Sequence, residues 1–159
     1  MVADPACLFD KERREKLSNF TAYNTRFRMP SAESGGALNM HFSFNYGPVH
    51  FISIDTETGY PGAAEETRYV LPCGGFAEQL SWLEADLQKA NEERSVRPWI
   101  FAQGHHPMYQ GSSINAEFQA AMEDLFYKYG VDIYFSGHVH SYERDYPVSV
   151  DVYDIYLRV

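Results

Sequence analysis

An α/β fold built on a mixed sheet is predicted by three features of this sequence. Apolar residues alternate along 40–46 and recur along 49–54, with only Gly47-Pro48 between the two stretches. Farther on, two apolar patterns at helical spacing are each followed by a short apolar run that suits a strand. Each of those runs then enters a loop that begins Gly-His.

The elements follow in order. Residues 1–37 carry few periodic signals: a short helix around 10–18, an aromatic stretch from Phe20 to Phe27, then Met29-Pro30 and Gly35-Gly36. They read as an irregular, exposed lead-in. Met40, Phe42, Phe44 and Tyr46 share one face of a half-buried strand, and Gly47-Pro48 turns the chain into an antiparallel partner over Val49–Ile54. Residues 56–75 hold Gly59, Pro61, Gly62, Pro72, Gly74 and Gly75, so they form a long loop. Phe76, Leu80, Leu83, Leu87 and Ala90 then fall at helical spacing, and Trp99–Ala102 is a short apolar strand after Pro98. A second helix, roughly 116–129, sets Phe118, Met122, Leu125 and Tyr129 on one face, with Gly130 as its stop signal. Val131–Phe135 reads as another short buried strand.

Composition narrows the function classes. The 159 residues suit one domain or most of one, and 45% apolar content can build a core, which argues against disorder. Thirteen Lys and Arg against 22 Asp and Glu give a formal charge of −9, which repels phosphate backbones and disfavours nucleic acid. The densest basic stretch, Lys11 to Lys16, is interrupted by Glu12 and Glu15 and reads as a solvated helix face. No run approaches the roughly 18 apolar residues of a membrane span, and the N-terminal residues lack the pattern of a signal peptide. Cys7 and Cys73 fit neither a disulfide framework nor a Cys-based zinc site; they pair in an oxidising compartment or stay as two thiols. Asn19-Phe20-Thr21 is a glycosylation sequon, a weak hint of an exported protein.

The chemistry points to the two loops Gly104-His105-His106-Pro107 and Gly137-His138-Val139-His140. In open α/β sheets, sites form where loops converge at the carboxyl ends of strands. Neutral imidazoles converging there suit zinc, iron or manganese. Alternation places His138 and His140 on one side of an extended segment, able to serve one ion or two adjacent ions. His41 and His50 lie within strands and read as structural, and Asp55 reads as a loop cap before a carboxylate ligand.

These loops carry a resemblance. Gly104–Tyr109 and Val131–Arg144, the latter with its Gly-His-Val-His-Ser-Tyr-Glu-Arg run, resemble the last two metal-binding blocks of the purple acid phosphatases, within the calcineurin-like metallophosphoesterase superfamily. Tyr23–Pro30 and Phe42–Ile52 are similar to segments that follow the family's third block. The resemblance spans about residues 18–147, leaving 1–17 as lead-in and 148–159 unassigned. It implies the C-terminal half of an α/β/β/α sandwich and metal-dependent hydrolysis of phosphate monoesters. Two metal ions, iron with zinc, manganese or a second iron, would clamp the phosphate and activate a bridging hydroxide. By position, His105 and His138 would bind the second, divalent ion and His140 the ferric one. Gly137 would give a tight turn, and Tyr142, Glu143 and Arg144 would brace the loop.

The sequence departs from the family pattern in ways that bear on activity. It contains no Asp-x-Gly, Gly-Asp or Gly-Asn, so the family's two Asp ligands, its Tyr, its Asn and the His of its third block have no counterpart. Only the three His ligands remain. The segment Gly111–Asn115 lacks the substrate-facing His of plant-type members; His106 is a candidate for contacting phosphate or for protonating the leaving group, and also reads as an exposed loop residue. The expectation is therefore a fragment of a phosphomonoesterase, weak or inactive alone, with exposed sheet faces that favour self-association. A non-catalytic metal-binding or interaction module is the alternative. A short active enzyme with substitute ligands from Asp55, Glu57 or Asp145 is disfavoured, because nothing in the sequence fixes those carboxylates near the His loops. The family's secreted, vacuolar or lysosomal setting is the implied location.

Overall fold

Alternation and a tight glycine turn produce the first element pair. In the computed structural model, which describes residue 12 and residues 20–57, 60–63, 78–111 and 113–145, β1 (Phe42–Tyr46) and β2 (Val49–Ser53) form an antiparallel hairpin. Gly47 sits at its tip with φ 55°, a left-handed conformation that glycine adopts without the Cβ penalty. β2 then pairs in parallel with β3 (Trp99–Gln103), and β3 in parallel with β6 (Ile133–Phe135). The four-stranded sheet runs β1-β2-β3-β6, mixed as the sequence predicts. A small second sheet pairs β4 (Tyr109–Gln110) with β5 (Ser113–Ile114).

Two helices cover one face of the main sheet. They are α3 (Gln79–Glu92), between β2 and β3, and α4 (Ala116–Tyr129), between β5 and β6. Leu83, Leu87, Phe118 and Met122 pack on Ile52, Ile100 and Ala102, and all seven are fully buried. Each large side chain among them contributes about 1.5–3 kcal/mol of burial. The ends of α4 have local causes: the Asn115 side chain accepts from Phe118 N–H, and Gly130 adopts φ 64° beyond the last turn. Arg94 ties this end of the fold together, donating to the carbonyls of Pro98, Tyr129 and Gly130 and to Asp132, which itself accepts from Ile100 N–H.

Three expectations change. The lead-in before β1 contains two short helices, α1 (Thr21–Arg26) and α2 (Ser31–Ser34), braced by Asn39, whose side chain bonds Met29 N–H, Asn24 and the Phe27 carbonyl. Secondly, β1 keeps Phe42 of the expected face buried but turns Ser43, rather than Phe44 or Tyr46, to the helices. There the Ser43 hydroxyl donates to Asp86, while Phe44 and Tyr46 face outward, 42% and 76% exposed. A polar partner on α3 outweighs the alternation signal there. Lastly, β6 is not buried: among the described residues it ends the sheet, and Ile133 and Phe135, 41% and 50% exposed, stand on the face that neither α3 nor α4 covers. That face carries a row of rings, Phe44, Phe51, Phe101 and Phe135, with successive centroids 5.2, 5.7 and 6.0 Å apart. Among the described residues no helix is long and apolar enough to cross a membrane.

Candidate metal and phosphate site

Because β2, β3 and β6 are parallel, their carboxyl ends lie at one edge, and the loops leaving them converge. The pairing continues past the strands. Gly104 N–H donates to the Phe135 carbonyl at 3.0 Å, and Gly137 N–H donates to the His105 carbonyl at 2.9 Å. Backbone ladders thus carry the two His loops side by side, so their spacing is set by the sheet.

The first loop is fixed from below. Thr56, buried in the loop after β2, accepts from the backbone N–H groups of both His105 and His106, at 3.1 and 2.9 Å. Tyr134 of β6 donates its hydroxyl to the His106 carbonyl at 2.7 Å, and burial raises its pKa far above the usual phenol range. Gly104 permits this closeness: a Cβ there would lie 2.4 Å from Thr56 Cγ2 and 2.6 Å from the Tyr134 hydroxyl oxygen. Its role is close approach rather than a left-handed turn.

The imidazoles of His105, His106 and His138 meet above this platform. His138 Nδ1 is 3.1 Å from His105 Nε2, and the His106 and His138 ring centroids are 4.2 Å apart. One donor atom from each of the three lies within 4.8 Å of the others. His106 Nε2 also stands 2.8 Å from Glu57 Oε1, and Glu57 N–H donates to Asp55 Oδ1 at 2.8 Å, a short turn that aims the glutamate. Burial, followed by the neighbouring His138 and His105, lowers the pKa of His106, while Glu57 opposes the shift. His138 itself takes φ 63°, a left-handed conformation uncommon for a residue with a side chain and often found at functional sites.

The sequence-predicted residues distribute as follows. His105, His106 and His138 come together; His140 is exposed and is not one of the three clustered imidazoles. The left-handed residue of the second loop is His138 rather than Gly137, so the tight turn lies one position later than expected. Glu143 braces the neighbouring loop by accepting from Gly111 N–H at 2.7 Å, whereas Tyr142 is 89% exposed. Asp55 acts as a loop cap, and Gln79 bonds both its N–H and its carbonyl. His41 lies against Trp82, ring centroids 4.6 Å apart and tilted by 44°, and His50 bonds Asp86 and Asn45, both in structural settings. Cys7, Cys73, Asn19, Lys11, Lys16, Phe76 and the tail from 146 onward lie outside the described residues.

Thr56 and Glu57 come from the loop after β2 and Tyr134 from β6. Sequence reasoning missed Thr56 and Tyr134, and it set Glu57 aside as a substitute ligand with nothing to fix it near the His loops, yet Glu57 stands 2.8 Å from His106. One signal was available for Thr56 and Glu57: they follow a strand that pairs in parallel with the His-bearing one, so their loop must reach the same edge.

The sequence pattern of calcineurin-like phosphoesterases matches residues 8–142. The chain belongs to that family. Relatives of the chain include an acid phosphatase of Aspergillus ficuum, 39% identical over 84% of this chain and 26% of its own length. Acid phosphatase type 7 of Homo sapiens is 38% identical over 84% of the chain and 31% of its length, and probable purple acid phosphatase 20 of Arabidopsis thaliana is 40% identical over 85% and 30%. The chain thus spans about a quarter to a third of the length of these relatives. A purple acid phosphatase from yellow lupin seeds shares its fold, with a TM-score of 0.61 at 24% identity over 82% of this chain and 21% of the lupin chain.

Family membership implies a dinuclear metal centre. The donors clustered in the described residues do not fit two ions: they are three imidazoles with one carboxylate at their edge, and no second carboxylate stands between them to bridge. They fit one cation.

Proposed function

We propose that the chain contributes the histidine part of a metal-dependent phosphomonoesterase site of acid phosphatase type. The observation that carries this reading is the approach of His105 and His138 to 3.1 Å from the ends of two parallel strands. Imidazoles held that close by sheet hydrogen bonds offer converging lone pairs to a cation, and a cation there would attract a phosphate ester in an otherwise acidic molecule. The acid phosphatase names of the relatives support the choice of phosphate monoesters. Alone, this chain is a weak or inactive catalyst, because its clustered donors supply a single carboxylate. The row of rings on the sheet face away from α3 and α4, exposed at Phe44 and Phe135, favours self-association when nothing else covers it.

Hydrolysis of an aryl phosphate by the purified chain tests this, at mildly acidic pH with added iron, zinc or manganese and a His138→Ala control. Slow, metal-dependent turnover that disappears in the control supports the reading. Metal binding with no turnover favours the second reading, a non-catalytic metal-binding module, to which the single-carboxylate donor set also points.

A further inference from the structure

We propose that Glu57 joins His105, His106 and His138 in a site for one divalent cation of the zinc class. The proposal rests on the metal-binding half of the reading above and is independent of turnover. It differs from the arrangement implied by the resemblance in two residues gained, His106 and Glu57, and one left out, His140.

Four ligands at about 2.0–2.1 Å around a tetrahedral ion stand roughly 3.3 Å from one another. The His138–His105 nitrogen pair, at 3.1 Å, and the His106–Glu57 nitrogen–oxygen pair, at 2.8 Å, are already near the edge length of such a polyhedron. The two pairs adjoin, with the His106 ring centroid 4.2 Å from that of His138 and 5.1 Å from that of His105. The three imidazole donors already lie within 4.8 Å of one another, and Glu57, held against His106 outside that cluster, would swing in to complete the set.

Charge and support point the same way. Three neutral imidazoles leave a dication uncompensated, and the Glu57 carboxylate, beside one of the donor nitrogens, supplies the negative charge. The backbones that carry the four residues are tied together: Thr56, directly before Glu57, accepts from His105 and His106, and the His105 carbonyl accepts from Gly137, directly before His138. A site whose ligand-bearing loops are bonded to each other needs little ordering on binding.

Calorimetric titration of the full chain with zinc chloride tests the proposal, with circular dichroism to confirm that each variant is folded. One equivalent should bind. Glu57→Gln and His106→Ala should each weaken it by about 10- to 100-fold, a loss typical of removing a ligand or its close partner, whereas His140→Ala should stay within about twofold. Cobalt substitution gives a second readout, since a four-coordinate site absorbs strongly in the visible and Glu57→Gln should alter that spectrum. Binding of two equivalents, no binding, or a loss confined to His140→Ala with Glu57→Gln unchanged would each overturn it.

Discussion

Thr56 does more for the site than its neutral hydroxyl suggests. It is buried and accepts from two consecutive backbone N–H groups, so Thr56→Val keeps the shape and removes the acceptor. Leaving those donors unpaired should cost about 1–3 kcal/mol in urea denaturation and should weaken zinc binding as well. Gly104→Ala should cost at least 1 kcal/mol for a different reason, because the new methyl would overlap Thr56 and Tyr134. His41 supplies a pH prediction. It is buried with Nδ1 lacking a hydrogen-bond partner, and desolvation lowers its pKa below the usual value of about 6.5. The folded state therefore resists protonation that the unfolded chain accepts. Its effect on stability is absent above pH about 6.5 and destabilising below it, by up to about 1.4 kcal/mol per pH unit until the folded pKa is reached. His41→Phe, which keeps a ring on Trp82, should flatten that part of the pH–stability curve; an unchanged slope would assign the acid sensitivity to other groups. At this scale the histidines were legible in the sequence because Gly-His after an apolar run is a local signal. Thr56 was not, and Glu57 was named only to be set aside, since their partners lie about 50 residues away.

Among the elements, α3 was legible because Leu83, Leu87 and Ala90 repeat at helical spacing and do meet the core. What periodicity could not show is that the same helix buries Asp86. That carboxylate accepts from Ser43 on β1 at 2.7 Å and bonds His50 on β2 at 2.9 Å, joining the hairpin to the helix through polar contacts. Asp86→Ala would leave both partners buried without it, and a loss of about 3 kcal/mol or more is expected in thermal or chemical unfolding. Asp86→Asn, which preserves some of the hydrogen bonding, should cost less. The burial of β6 was misread for a related reason: a short apolar run looks the same at a sheet edge and at a sheet centre.

At the scale of the whole molecule, the central feature among the described residues is a sheet with one face packed beneath two helices and the other carrying a row of rings exposed at its two ends. Ile52, Ile100 and Ala102 are sealed beneath the helices, while Phe44 and Phe135 at the ends of the opposite ring row are 42% and 50% exposed. The isolated chain should therefore associate as its concentration rises, visible by sedimentation velocity, and Phe44→Lys with Phe135→Lys should shift it towards monomer. The mixed α/β architecture was legible from the order of the elements, but the openness of this face was not, because apolar alternation does not report what covers it. The convergence of the two His loops belongs to this scale too, since parallel pairing of β3 with β6 brings residues 33 apart in the chain into contact. The most direct measurement of that convergence is nitrogen-15 NMR of the histidine rings during addition of one equivalent of zinc. The ring nitrogens of His105, His106 and His138 should shift together and stop at one equivalent, with His41, His50 and His140 little changed. Shifts at His140 with His106 silent, or no ring responding, would contradict the account.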